Sequence, residues 1–239
     1  MSTTLQPPTR STPSGPDRGA TAWWRRPWIL PLAAVAVAAV IYCWSTYITF
    51  DPRVASVAPL PAEHPMKYPI LIAHITFGTI AVLTVVLQVW PWLRRRHPRV
   101  HRWAGRVYVV GGVAPSAALA ALLLPMIYGP PVFGWLSRVV LAVLWVTTTA
   151  LGVLAIKRRN VRMHRWFMLS SFALTMDAFS TRFLQIVFMP LYPDVIGRDA
   201  FMIIAGWGGW VTNLLLVQAW LFWTARRRRA ARAALLPAS

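Results

Sequence analysis

The stretch RRRHPRVHRW, residues 94–103, decides the fold because the chain repeats it as KRRNVRMHRW at residues 157–166. Aligned without a gap, the two copies share six of ten residues and lie 63 positions apart. Each copy lies between two long apolar runs, as the cytoplasmic turn of a membrane hairpin does. The repeat therefore predicts two similar hairpins that run in the same direction, related by an axis along the membrane normal.

Composition places the chain in a membrane. Of its 239 residues, 57% are hydrophobic and only 13% are charged, about half the charge of a typical soluble domain. The apolar residues form runs of about 20, the length that an α-helix needs to cross a bilayer. The single cysteine excludes an intramolecular disulfide and a thiolate metal cage. We expect an all-α integral membrane protein.

The apolar runs predict six transmembrane helices. Residues 1–22 are rich in Ser, Thr, Pro and Gly and are expected to be a disordered cytoplasmic tail. Residues 23–225 are expected to form the six-helix domain, and residues 226–239 a basic cytoplasmic tail. The predicted helices are Pro27–Phe50, Tyr68–Leu93, Trp103–Met126, Trp135–Ile156, Trp166–Phe188 and Phe201–Trp223.

The basic residues predict the orientation. The two tails and the two repeated turns hold 20 of the 25 Lys and Arg residues, and such an excess marks the cytoplasmic side. Both termini are therefore expected inside. The net charge of +19 would then face the anionic lipids of the inner leaflet, so nucleic acid is not needed as a partner.

Polar residues inside the predicted helices are candidates for a site, because ionisable groups in a bilayer are costly. His74 and Gln88 share one face of the second helix, while Arg138, Asp177 and Arg182 belong to the fourth and fifth helices. These five residues suggest a polar pocket in the outer half of the membrane. A buried polar brace between the helices is the plainer interpretation, and the sequence leaves both open.

The repeated turn predicts a second site, at the inner surface. His101 and His164 occupy equivalent positions, and neutral imidazole is a common axial ligand of haem iron. Neighbouring positive charge should keep both rings neutral. Four other residues of the two copies could contact haem propionates or lipid headgroups: Arg102, Arg106, Tyr108 and Arg165. Alternatively, the duplicated arginines serve topology alone, with His and Trp as interfacial residues.

Several of these residues form a pattern that resembles a known family. His74, Gly78, Gln88, the stretch HPRVHRWAGRVYV (residues 97–109), His164, Met168 and Arg182 are together similar to a family of bacterial predicted membrane proteins, domain of unknown function 2306. The resemblance covers residues 65–190 and implies a multi-pass protein of the bacterial inner membrane. Ser170 stands where the family pattern has an arginine. The layout of helices also looks loosely like that of cytochrome b561 proteins.

Three functions remain open at this stage, and no motif assigns catalytic residues. The first is a haem b electron carrier in which His101 and His164 ligate an inner haem and His74 contributes to an outer haem or quinone site. The second is a transporter or small-molecule sensor that uses the outer polar pocket. The third is an assembly partner that acts through its basic inner face.

Overall fold

The computed structural model describes residues 29–51, 65–127, 132–188 and 197–233. Every regular element within these ranges is helical, which confirms the predicted all-α class. The predicted tail at residues 1–22 lies outside them. The α-helices are α1 (Ile29–Ser45), α2 (Lys67–Val89), α3 (Pro91–Arg96), α4 (Pro98–Arg106), α5 (Ala114–Ile127), α6 (Val132–Lys157), α7 (Val161–Thr175), α8 (Asp177–Phe188) and α9 (Arg198–Ala233). A π-helical segment, Val107–Val113, joins α4 to α5.

Three stretches are long and apolar enough to cross a membrane: Lys67–Val89, Pro98–Leu124 and Trp135–Lys157. They correspond to the second, third and fourth predicted spans. The apolar helix α1 is shorter, at 17 residues. The described helices therefore fit a membrane protein, with three spans that meet the criteria of length and composition.

Proline explains why α2 ends earlier than predicted. The helix was expected to reach Leu93 but ends at Val89, and Trp90 is extended, with φ −72° and ψ 108°. Pro91 disfavours the helical conformation of the residue before it and has no N–H to continue the ladder. The chain then starts the short helix α3, which carries Arg94, Arg95 and Arg96.

Two other predicted helices are interrupted. The expected helix Trp103–Met126 contains the π-helical segment, in which Gly112 lies against α2. A Cβ added at Gly112 would be 2.9 Å from the Cβ of Ala81, so only glycine allows this approach. The expected helix Trp166–Phe188 is divided at Met176 into α7 and α8. In contrast, α9 extends past Trp223 to Ala233, because arginine is a good helix former.

The helices pack as neighbours along the chain, with α9 closing the bundle. Helix α2 packs against the π-helical segment and α5, α6 packs along α7, and α9 contacts α7 and α8. The main core lies between α2, the π-helical segment and α7, where Ala81, Val85, Tyr108, Val113, Met168 and Phe172 are buried. One end of this bundle carries α3, the first turns of α4 and α7 and the last turns of α6 and α9. We call it the arginine-rich end.

Candidate functional site

The arginine-rich end places His101 and His164 at matching positions. Helix α4 starts after His97 and α7 after Asn160, 63 residues apart, and each histidine makes the first backbone bond to that residue. The N–O distances are 3.1 Å for His101 to His97 and 3.0 Å for His164 to Asn160. Pro98 starts α4, whereas the Asn160 side chain caps α7 by accepting from the Met163 N–H at 3.0 Å. Different local chemistry thus produces the same placement.

Hydrogen bonding fixes the tautomer of His164. Its Nδ1 lies 2.8 Å from the carbonyl oxygen of Gly152 in α6. Because a carbonyl can only accept, Nδ1 carries the proton, and Nε2 keeps its lone pair. A histidine oriented in this way is prepared to bind a metal through Nε2.

His101 lies beside His164 and lacks such an anchor. The two imidazoles are electrostatic neighbours, and Arg94 is close to His101 as well. The Nδ1 of His101 is buried and has no hydrogen-bond partner in the part of the chain that the structure describes. Since buried polar atoms in proteins are usually paired, this nitrogen calls for an explanation.

Gln88 holds the backbone at His101. Its side-chain Nε2 donates to the His101 carbonyl oxygen at 2.8 Å, and its Oε1 would be 3.4 Å from a Cβ added at Gly105. Gln88 therefore ties α2 to α4 at the arginine-rich end. This placement separates it from Asp177, with which the sequence analysis grouped it.

The arginines predicted at this end differ in their surroundings. Arg102 and Arg106 are exposed. Arg165 is half-buried, with its guanidinium 5.5 Å from the ring centroid of Trp220 in α9. The positive charges of Arg228 in α9 and Arg94 in α3 act on this guanidinium group.

A buried network of hydroxyl groups lies deeper in the bundle. The Tyr108 hydroxyl is 2.6 Å from Ser171 Oγ and 2.8 Å from Thr175 Oγ1. Trp145 Nε1 donates to Thr175 Oγ1 at 2.9 Å, and Thr149 Oγ1 is 2.6 Å from Ser171 Oγ. Tyr108 is fully buried, so a lipid headgroup cannot reach its hydroxyl group.

The sequence analysis missed the four other residues of this network. One signal was available, because the spacing of 63 residues also separates Tyr108 from Ser171. Extending the gapless alignment of the repeat by five positions would have paired them. Thr149 and Trp145 lie on α6, where nothing in the sequence distinguishes them from neighbouring residues.

The opposite end of the bundle holds the remaining candidates. Asp177 Oδ2 lies 2.6 Å from Arg138 NH1, and Thr181 Oγ1 donates to Asp177 Oδ1 at 2.8 Å. Arg182 is exposed and lies near Tyr47, in the turn after α1, apart from this pair. His74 Nδ1 is 2.8 Å from the Ser116 carbonyl oxygen, so the same argument places its proton on Nδ1. The structure thus pairs Asp177 with Arg138 and joins His74 to α5.

Comparisons with known proteins identify the family. A family model described as "Predicted membrane protein (DUF2306)" matches residues 71–223. The chain belongs to this family. No curated protein and no solved structure matches it.

The DUF2306 match begins six residues later than the similarity at residues 65–190 suggested and extends further toward the C-terminus. It runs from Leu71 in α2 to Trp223 in α9 and includes the two histidines, the hydroxyl network and the Arg138–Asp177 pair. Within the described residues of this DUF2306 protein, no group of three or more His, Cys, Asp or Glu side chains is arranged to hold a metal ion.

Proposed function

We propose that the protein crosses the bacterial inner membrane six times, with both termini in the cytoplasm. Three helices have the length and composition of spans, and the additional spans would be α1, α7 with α8, and α9. The distribution of basic residues supports the orientation. The contact between Tyr108 and Ser171 supports two parallel hairpins, because equivalent residues of a twofold repeat meet at its axis.

We further propose that the protein binds one haem b at the arginine-rich end and carries electrons in the membrane. The observation that supports this function most strongly is the hydrogen bond from His164 Nδ1 to the Gly152 carbonyl oxygen, which leaves Nε2 as a ligand. His101 would supply the second ligand. Its Nδ1 has no hydrogen-bond partner among the described residues, and ligation to iron would fix the ring.

The positive charge around the two histidines is complementary to the negative charge of haem propionates. The exposed Arg102 and Arg106 flank His101 on α4 and would pair with propionates. When bound, haem b supplies one-electron transfer, and the protein sets its potential through the axial ligands and their hydrogen bonds. The Gly152 carbonyl would influence the potential through His164, because its hydrogen bond with Nδ1–H makes Nε2 a more basic ligand.

An absorption spectrum tests the haem proposal. The full chain, purified from cells supplied with a haem precursor, is expected to show a Soret band. The variants H101Q and H164Q should lose most of it, whereas H97Q, a matched change in the same turn, should keep it. Thermal unfolding would show that each variant is folded. A folded wild-type protein without haem absorption, even after haem is added, would contradict the proposal, and so would an equal loss in H97Q.

A second candidate function, proton-coupled transport or sensing, uses the opposite end. Asp177 is buried, and both of its carboxylate oxygens are paired, one with Arg138 and one with Thr181. A buried ionised carboxylate in a membrane is a typical proton-relay group. Proton flux into proteoliposomes loaded with a pH-sensitive dye tests this candidate. The variant D177N should abolish the flux, and equal rates for the two proteins would argue against it.

A further inference from the structure

We infer that Arg165, Arg94, Arg228 and Trp220 form a specific site for one anionic phospholipid of the inner leaflet. The site would bind the lipid phosphate between the guanidinium groups and place the glycerol and acyl chains along α9. It is a defined binding site, distinct from the general attraction of basic segments to the membrane surface. The inference does not depend on haem binding.

Charge is the first argument for the site. The positive charges of Arg228 on α9 and Arg94 on α3 act on Arg165 of α7. The described residues of the arginine-rich end include no Asp or Glu. An anion bound here would therefore meet positive charge without competition from a described carboxylate, and guanidinium groups match a phosphate with two parallel hydrogen bonds.

Rigidity is the second argument. Arg165 is half-buried and stacks on Trp220, and stacking of this kind orients a guanidinium group. Helix α9 is fixed against α7 near this point, since Gln218 Nε2 donates to Ser170 Oγ at 2.8 Å. Gln218 lies two residues from Trp220, so the aromatic surface is held in place. The site is therefore largely formed before a ligand binds.

The surface of α9 argues for a lipid as the source of the phosphate. Leu216, Trp220 and Trp223 are exposed apolar residues of this helix, with exposed fractions of 64%, 44% and 50%. Tryptophan is typical of the headgroup level of a membrane. The ring of Trp220 thus belongs to an exposed apolar surface and also contacts Arg165, as expected at the level of a lipid phosphate.

Native mass spectrometry of the full chain in detergent tests the site with phosphatidylglycerol and phosphatidylcholine as probes. We expect one phosphatidylglycerol to remain bound under conditions that remove phosphatidylcholine. R165Q and W220L should each weaken phosphatidylglycerol binding about tenfold, which corresponds to 1.4 kcal/mol. R99Q removes an exposed arginine of the same end and should bind as the wild type does. If R165Q does not fold, R228Q replaces it, because Arg228 is exposed.

Three results would overturn the assignment. Equal retention of the two lipids would show that the cations do not select an anionic headgroup. Equal losses in R165Q, R228Q and R99Q would show that binding follows total charge only. Displacement of the lipid by inorganic phosphate at equal concentration would show a site for free phosphate. A normal Soret band with lost lipid binding, or the reverse, would separate this inference from the haem proposal.

Discussion

The Tyr108 hydroxyl lies 2.6 Å from Ser171 Oγ, and the two residues are 63 positions apart, the spacing of the two copies of the basic turn. His101 and His164 have the same spacing and are neighbours as well. This shared offset supports the proposal that α4 with its π-helical extension runs parallel to α7.

Replacing Tyr108 by Phe removes the centre of the hydroxyl network. Ser171 and Thr175 each lose a partner in a buried setting, and we expect a loss of about 1 kcal/mol in the free energy of unfolding. Thermal unfolding of purified protein in detergent measures it. Y42F, on an exposed tyrosine of α1, is the control. A Y108F protein as stable as Y42F would show that the network contributes little.

Replacing Asp177 by Asn leaves Arg138 with its charge but without its carboxylate. The Arg138 side chain is 23% exposed, so water screens part of the charge, and we expect D177N to cost about 1–3 kcal/mol, less than a fully buried pair. The double variant R138Q/D177N should recover part of that loss, because it removes the arginine charge together with the carboxylate. A double-mutant cycle in urea or heat measures the coupling, and strictly additive losses would refute it.

Glycines of α9 should differ in their tolerance of alanine. A Cβ at Gly209 would lie 2.6 Å from Asp177 Oδ1 and 2.9 Å from the Thr181 backbone nitrogen. At Gly206 the nearest atom would be 3.8 Å away. We expect G209A to destabilise the packing of α8 on α9 by about 1–3 kcal/mol, whereas G206A should have little effect. Similar melting temperatures for both variants would contradict this packing.

The adjacent glycines of the π-helical segment provide the same kind of test. A Cβ at Gly112 would lie 3.0 Å from the backbone nitrogen of Ala81, whereas one at Gly111 would come no closer than 3.6 Å to Val107. G112A must therefore push α2 away, and we expect it to lower the melting temperature more than G111A does. If G111A were the more harmful change, the contact between this segment and α2 would be misplaced.

Composition and periodicity were sufficient to predict the helical class, because apolar runs of about 20 residues match the length of a membrane-spanning helix. They also indicated equivalent positions for His101 and His164 in the repeat, and the binding of a shared group by these residues stays a prediction. The breaks were harder to predict. The end of α2 could have been inferred from Pro91, but the break at Met176 has no proline or glycine to announce it. The six spans and the orientation stay predictions.

Side-chain partners were predictable only in part. The sequence showed that Asp177 needed a partner on another helix, but not that Arg138 supplies it while Arg182 lies near Tyr47. Such pairings depend on the rotation of each helix about its axis, which the apolar pattern of a membrane helix leaves undetermined. Gln88 illustrates the same point, because it faces the backbone of His101 rather than an ionisable group.

The π-helical segment Val107–Val113 controls how the rest of its helix faces the bundle. An α-helix turns by about 100° per residue, so deleting one residue here would rotate all of α5 by about that angle. Ser116 would then turn away from His74, and an apolar side chain would meet the imidazole in its place. A change of length in this segment therefore breaks the contact between α5 and His74 without altering either of the residues that make it.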